Sequence, residues 1–258
     1  MLLGIDHLVI AVDDPDVAAD ELEAALGLVA TGGGRHDMGT HNRLIFLGDA
    51  YLELIGAWNR DLARAHPIGA AVVRALDANA PGLVTYALAT DGARREAMAL
   101  RAAGSPISDA IAGSRVRPDG ASVAWQCAFP PLPGRAEPPF LIEHELTGPE
   151  WDDDTRRARA AFVHPFGGAA RLVGIEIVVP DPAATAAAYA AVIGVAVPPG
   201  PGPLPGEREV RIGEQGIRLV PPPGGDVAAS EPAARVAIAG TAGGRVLRDL
   251  FGIRFARL

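Results

Sequence analysis

The chain has 258 residues and a net charge of −8, with 49% hydrophobic and 21% charged residues. This is a globular composition, and it excludes a disordered or collagen-like chain. All 23 basic residues are Arg, which removes Schiff-base, pyridoxal-phosphate and P-loop lysine chemistry. An acidic chain without a basic run is a poor partner for nucleic acid, so none is expected. A single cysteine, Cys127, rules out an internal disulfide and a cysteine-based zinc cluster, and a reducing, cytoplasmic setting is expected.

Leu2–Val12 is apolar and β-branched, with Asp6 and His7 inside the run. It reads as a first strand, not as a signal peptide. Asp14-Pro15 is a helix start, and Gly27 ends that helix. Gly32–Gly34 reads as a flexible turn leading into a polar loop, Arg35–Asn42, and two short strands follow at Arg43–Leu47 and Tyr51–Ile55. Trp58–Ala80 is an inserted helical excursion. The order then recurs. A strand at Leu83–Ala89 precedes a helix at Asp91–Ala103, with strands at Ser122–Phe129 and Phe140–Leu146.

Thr147–Ala170 carries an acidic run followed by an Arg cluster, a linker with a solvated helix. Leu172–Val179, Asp181-Pro182 and a helix to Ile193 start the order a third time. The stretch from Pro182 to Gly206 is uncharged but rich in Ala, Pro and Gly, unlike a membrane span. Strands at Glu209–Ile212 and Ile217–Val220 close the unit. The tail offers a strand at Arg235–Ala239, a helix at Thr241–Leu250 and a strand at Ile253–Ala256.

Aligning the units places His7, Thr85 and Gly174 at one first-strand position, and Glu53, Glu143 and Arg218 at one last-strand position. His7, Glu53 and Glu143 each interrupt an apolar strand, where polar groups are costly unless paired or metal-bound. One His and two Glu suit a single divalent cation. Gly174 and Arg218 cannot serve as such ligands. Cys127 lies in an apolar strand and reads as an inert core thiol.

The order of these units and three short motifs resemble the vicinal oxygen chelate superfamily, which includes glyoxalase I, extradiol dioxygenases and bleomycin-resistance proteins. The motifs are Gly4-Ile5-Asp6-His7-Leu8-Val9, Gly39-Thr40-His41-Asn42 and Tyr51-Leu52-Glu53-Leu54-Ile55. Arg115–Gly120 and Pro139–Glu143 extend the likeness to bacterial glyoxalase-like-domain proteins. The resemblance implies an α+β fold of repeated β-α-β-β-β units pairing into cup-shaped sheets. It implies a glyoxalase-like domain at 1–148, a linker at 149–170 and a degenerate, truncated half at 171–258.

It further implies one divalent ion (Zn, Ni, Fe, Mn or Co) on His7, Glu53 and Glu143, with Glu143 or Glu53 also moving a proton. Thr85 departs from the usual His or Gln. His41, then His164 and His144, are the candidates to replace it, and His41 is also a catalytic candidate. Phe166 stands where the family has Asn after His-Pro. The implied function is metal-dependent lyase, isomerase or dioxygenase chemistry on a small substrate with adjacent oxygens. The alternative is a non-catalytic binding protein of the bleomycin-resistance kind, which the 5% aromatic content weakens because stacking surfaces are scarce. A homodimer is expected, and a membrane partner is not.

Overall fold

The computed structural model describes residues 1–117, 119–145, 151–202, 204–222, 233–240 and 245–258. In chain order the elements are β1 (Leu2–Ala11), α1 (Pro15–Leu26), β2 (Gly32–His36), β3 (Thr40–Leu47), β4 (Ala50–Ala57), α2 (Arg60–Arg64) and α3 (Pro67–Asp77). Next come β5 (Gly82–Thr90), α4 (Ala93–Ala102), β6 (Ile111–Val116), β7 (Ser122–Ala128), β8 (Phe140–His144) and α5 (Asp153–Ala160). The rest of the chain forms β9 (Ala170–Val178), α6 (Pro182–Ile193), β10 (Arg208–Ile212), β11 (Gln215–Val220), β12 (Ala234–Gly240), β13 (Val246–Leu250) and β14 (Ile253–Arg257).

Local sequence explains the repeated starts. The Asp14 carboxylate accepts the N–H groups of Asp16 and Val17, Pro15 opens α1, and Gly27 closes it at φ 67°. Asp181, Pro182 and Gly194 (φ 68°) do the same for α6. A carboxylate cap satisfies backbone donors that a helix start leaves free, and glycine takes the left-handed closing conformation without a Cβ clash. In α4 the cap comes from elsewhere. Gly92 precedes the helix without a side-chain bond, and Glu143 Oε2 in β8 accepts the Ala93 N–H at 2.9 Å.

Two β-α-β-β-β units build a closed eight-stranded barrel, ordered β1-β4-β3-β2-β6-β7-β8-β5. Each unit pairs its first strand parallel to its last, β1 with β4 and β5 with β8. The two first strands pair antiparallel, and β2 with β6 closes the seam. Gly32–His36 is a strand and not a turn and loop, because it pairs antiparallel with β3 on one side and β6 on the other. His41 accordingly lies in β3, which begins at Thr40. The strand at Ile111–Val116 carries mostly exposed side chains, which left no apolar signature in the sequence.

The remaining strands form a six-stranded sheet, β10-β11-β9-β12-β14-β13. It keeps the same centre: β9 pairs antiparallel with β12, and each pairs parallel with a later strand, β11 or β14. Each of its units is one strand short. The helix expected at Thr241–Leu250 is β13 over Val246–Leu250, which pairs antiparallel with β14; Thr241–Gly244 lies outside the described residues.

The main core lies between the barrel's outer face and this sheet. Leu8, Ile10, Tyr86 and Leu88 of the barrel share it with Ile175, Ile177, Val236 and Phe255 of the sheet. Polar links cross the same boundary. The Tyr86 and Tyr189 hydroxyls are 2.9 Å apart, and the Ile5 N–H donates to Gln215 Oε1 at 2.9 Å. A second cluster lies inside the barrel, where α3 contributes Ile68, Ala71 and Val72 to a plug with Val9, Ile55 and Ile142.

Candidate functional site

Above that plug the barrel encloses a cavity of about 430 Å³. Four of the six histidines line it: His7, His36, His66 and His144. Five aromatic rings do as well, from Tyr51, Trp125, Phe129, Phe140 and Trp151. The chain is poor in aromatics, but a large share of them is gathered here. The cavity is therefore well supplied with stacking surface, which corrects the expectation drawn from overall composition.

Strand alternation sets which side chains enter. In β4, Tyr51 and Glu53 face inward; in β1, His7 does. Pairing between β1 and β5 shifts register between Ile5 and His7. This irregularity, a bulge in strand geometry, puts Asp6 beside His7. Asp6 Oδ1 lies 2.6 Å from His7 Nδ1, and both Asp6 oxygens lie 3.1 Å from His144 Nε2. Burial alone would raise the Asp6 carboxyl, yet the His144 and His7 imidazoles hold it well below the usual carboxylate range.

The Asp6 carboxylate accepts the His7 Nδ1–H, which orients the ring with Nε2 toward Glu53. That nitrogen is 3.6 Å from Glu53 Oε2. Both residues are nearly sealed, with 4% and 7% exposure. The other Glu53 oxygen accepts the Asn42 amide N–H at 2.6 Å. His36 stands behind, with Nε2 3.9 Å from Glu53 Oε1 and Nδ1 2.8 Å from Thr40 Oγ1. Burial lowers the His36 pKa to about 4, and Arg115 adds to the effect against the opposing pull of Glu53. His36 is therefore a neutral ring at pH 7. His7 stacks on Tyr51 with ring centres 4.6 Å apart, and His144 stacks on Trp151 at 3.6 Å. The buried Nδ1 of His144 has no hydrogen-bond partner.

The structure brings His7 and Glu53 together but not Glu143. In β8 the inward positions are Phe140, Ile142 and His144. Glu143 faces the opposite side and caps α4. His41 is also displaced from the cavity. Its neighbour Asn42 points in, while His41 lines an outer groove. His164 is held by structure, because its Nδ1 accepts the Val29 N–H and its Nε2 donates to the Phe46 carbonyl, both at 3.1 Å. Of the three substitute histidines, His144 alone enters the cavity. Thr85 is buried in β5 with its Oγ1 unpartnered and is not among the cavity-lining residues.

Cys127 lines the cavity wall. Burial pushes its thiol well above the usual range, and the nearby Asp6 and Glu53 charges add to this, which keeps it a neutral thiol.

A divalent ion in the expected four-position form needs donors from β5 and β8 as well. The positions that match His7 and Glu53 in register there are Ala87 and Ile142, which pack into the plug, and the inward His144 of β8 has its Nε2 engaged by Asp6. Among the described residues, no group of three or more His, Cys, Asp or Glu is placed to hold a metal. The donor set present does not fit that ion. Of these site residues the sequence marks His144 only as a substitute ligand, and Asp6, His36 and Trp151 are not singled out. Asp6 next to His7 was the visible clue; the others depend on which way a strand or linker faces.

A curved sheet whose units pair first strand to last around a cavity is the fold of the vicinal oxygen chelate superfamily. A family model described as "Glyoxalase-like domain" matches residues 5–193, and the chain belongs to that family. The whole chain superposes on a hypothetical protein from Staphylococcus aureus, with a TM-score of 0.76 and 15% identity over 100% of both chains. It is also similar to a variant of Streptomyces coelicolor methylmalonyl-CoA epimerase solved with 2-nitronate-propionyl-CoA. That match has a TM-score of 0.41 and 20% identity, and covers 55% of this chain and 94% of that one. The Mycobacterium tuberculosis methylmalonyl-CoA epimerase gives a TM-score of 0.38 and 19% identity, over 55% of this chain and 86% of that one. No curated protein matches the sequence. Among the described residues, no helix is long and apolar enough to cross a membrane.

Proposed function

We propose that the barrel cavity, within residues 1–148, is the active site of a proton-transferring enzyme of isomerase or lyase type. Its substrate is a small molecule with a carbonyl or adjacent oxygens. The segment 149–170 supplies Trp151 to the cavity, and 171–258 is a supporting half. The observation that carries this reading is the pairing of His7 and Glu53. The His7 Nε2 and a Glu53 carboxylate oxygen face each other at 3.6 Å, with both residues nearly sealed from solvent. An imidazole nitrogen and a carboxylate oxygen held this close can pass a proton between them and to or from a ligand lodged there. A substrate atom about 2.8 Å from both would sit at the apex of that triangle.

In this scheme Glu53 takes the proton from carbon next to the carbonyl. The Asn42 amide holds the carboxylate in place. Asp6 fixes the His7 tautomer and stabilises the imidazolium when His7 accepts the proton on Nε2, ready to return it. Aromatic walls exclude water, which strengthens each of these electrostatic contacts. Superfamily members commonly bind a divalent metal. The metal-dependent form of this chemistry would need a third donor beside His7 and Glu53. His36 is the nearest imidazole, and it is already engaged with Thr40.

The test is proton exchange followed by NMR. A panel of 2-oxo and 2-hydroxy acids and their thioesters in D2O is expected to include a compound that loses its α-proton signal with the native protein. Glu53→Gln should slow that loss by about 100-fold or more. Tight binding without exchange would instead favour the non-catalytic binding protein. The five aromatic rings of the cavity are the observation that supports that second reading.

A further inference from the structure

A second and larger cavity lies outside the barrel wall, about 920 Å³ in volume. Five arginines line it: Arg35, Arg43, Arg115, Arg117 and Arg159. The acidic residues there are two, Asp16 and Asp119. The groove is thus cationic on a protein whose net charge is −8. Chance placement on an acidic surface does not favour that concentration of one sign, and such a groove focuses potential for an anion.

Two of these arginines meet the acids of the groove. Arg43 meets Asp16 at 2.6 Å, and Arg117 meets Asp119 at 3.0 Å. Arg35 is exposed and lies over the Trp58 ring at 3.7 Å, an interaction that leaves its N–H edge open to a planar acceptor. The two cavities are neighbours. Asn42 and Arg115 line both. Asn42 holds the Glu53 carboxylate on one side, and Arg115 is buried, with Nη1 donating to the Gly33 carbonyl at 2.7 Å.

We infer that this groove binds an anionic group, phosphate or carboxylate, carried by the same molecule whose reactive end enters the barrel. Guanidinium forks match both acceptors in planar, two-point geometry. The inference deepens the proposed function and rests on it for the location of the reactive end. It assigns the substrate class: an extended small molecule with an anionic tail.

Calorimetry with inorganic pyrophosphate and with glutarate tests it on the intact protein. At least one probe should bind the native chain, and which one binds more tightly names the tail as phosphate or carboxylate. Arg35→Ala combined with Arg117→Ala should weaken that binding by about tenfold or more, and raising salt from 50 to 200 mM should weaken it further. Should the double variant fail to fold, Arg35→Gln and Arg117→Gln singly take its place, each with about a threefold loss expected. Glu53→Gln should leave anion binding within about twofold of native. Failure of both probes to bind overturns the inference, as does equal binding by native and groove variants. Anion binding without α-proton exchange would retire the barrel reading and keep the groove. Exchange without anion binding would do the reverse.

Discussion

The barrel and the six-stranded sheet are built on one plan and end in opposite chemistry. In the barrel, Glu53 in β4 pairs across from Val9, and Tyr51 across from His7. In the sheet the same parallel register sets Arg218 of β11 across from Glu176, and Gly216 across from Gly174. Where the barrel has two stacked rings, the sheet has two glycines. A Cβ on Gly174 would lie 2.3 Å from the Gly216 carbonyl oxygen, so neither a ring nor any other side chain fits there without moving the strands. Where the barrel has a carboxylate facing an imidazole, the sheet has a closed ionic network. Arg218 binds Glu176 at 2.7 Å and Glu207 at 3.0 Å, and Arg235 also binds Glu176 at 2.8 Å.

The difference lies in how charge is satisfied. The sheet's charged groups meet one another, and that surface is complete without a ligand. In the barrel, His7 and Glu53 face each other at 3.6 Å, and the proposed proton transfer rests on that gap. Losing one strand per unit leaves the sheet open where the barrel closes.

The largest expected effect breaks this comparison at matched positions. Glu53→Gln should lower the exchange rate by about 10²- to 10⁴-fold. Arg218→Ala should leave the rate within about twofold and lower the melting temperature by stranding Glu176 and Glu207. Equal losses of rate from both would place catalysis across the halves.

Acid titration comes next. His36 has a folded pKa of about 4 against 6.5 when unfolded, so between those values the unfolded chain binds more protons. Stability should therefore fall as pH drops from 6.5 to 4, by about 3 kcal/mol from this residue. His66 and His164, both lowered by burial, add to the fall in the same direction. Urea midpoints measured at each pH should show the slope, and His36→Gln, which keeps a hydrogen-bonding group near Thr40, should flatten it.

Tyr86→Phe probes the boundary between the halves. It strands the Tyr189 hydroxyl and should cost about 1–2 kcal/mol in denaturant unfolding. Adding Tyr189→Phe should restore part of that loss, because the unpaired group is then gone. The smallest effect belongs to Glu143→Ala. Removing the cap on α4 should cost about 1 kcal/mol with exchange unchanged. A collapse of activity in that variant would return Glu143 to the site.

By itself the sequence determined the repeat. Asp-Pro helix starts, glycine stops and strand lengths are local signals, each set by a few neighbouring residues, and they specify two similar halves with the second degenerate. His7 and Glu53 were legible too, because a polar residue inside an apolar strand is an anomaly whatever it packs against. What a side chain faces was decided only in three dimensions. Glu143 sits in the same kind of apolar strand as Glu53, but a one-residue difference in phase sends it out to α4 and leaves Ile142 inside. His41 and Asn42 divide between groove and cavity for the same reason. Asp6 enters through a shift in strand pairing, and Trp151 arrives from a segment that reads as a linker. Side-chain period in a strand is two residues, so a single step of register exchanges inside for outside, and that step is set by pairing partners far away in the chain.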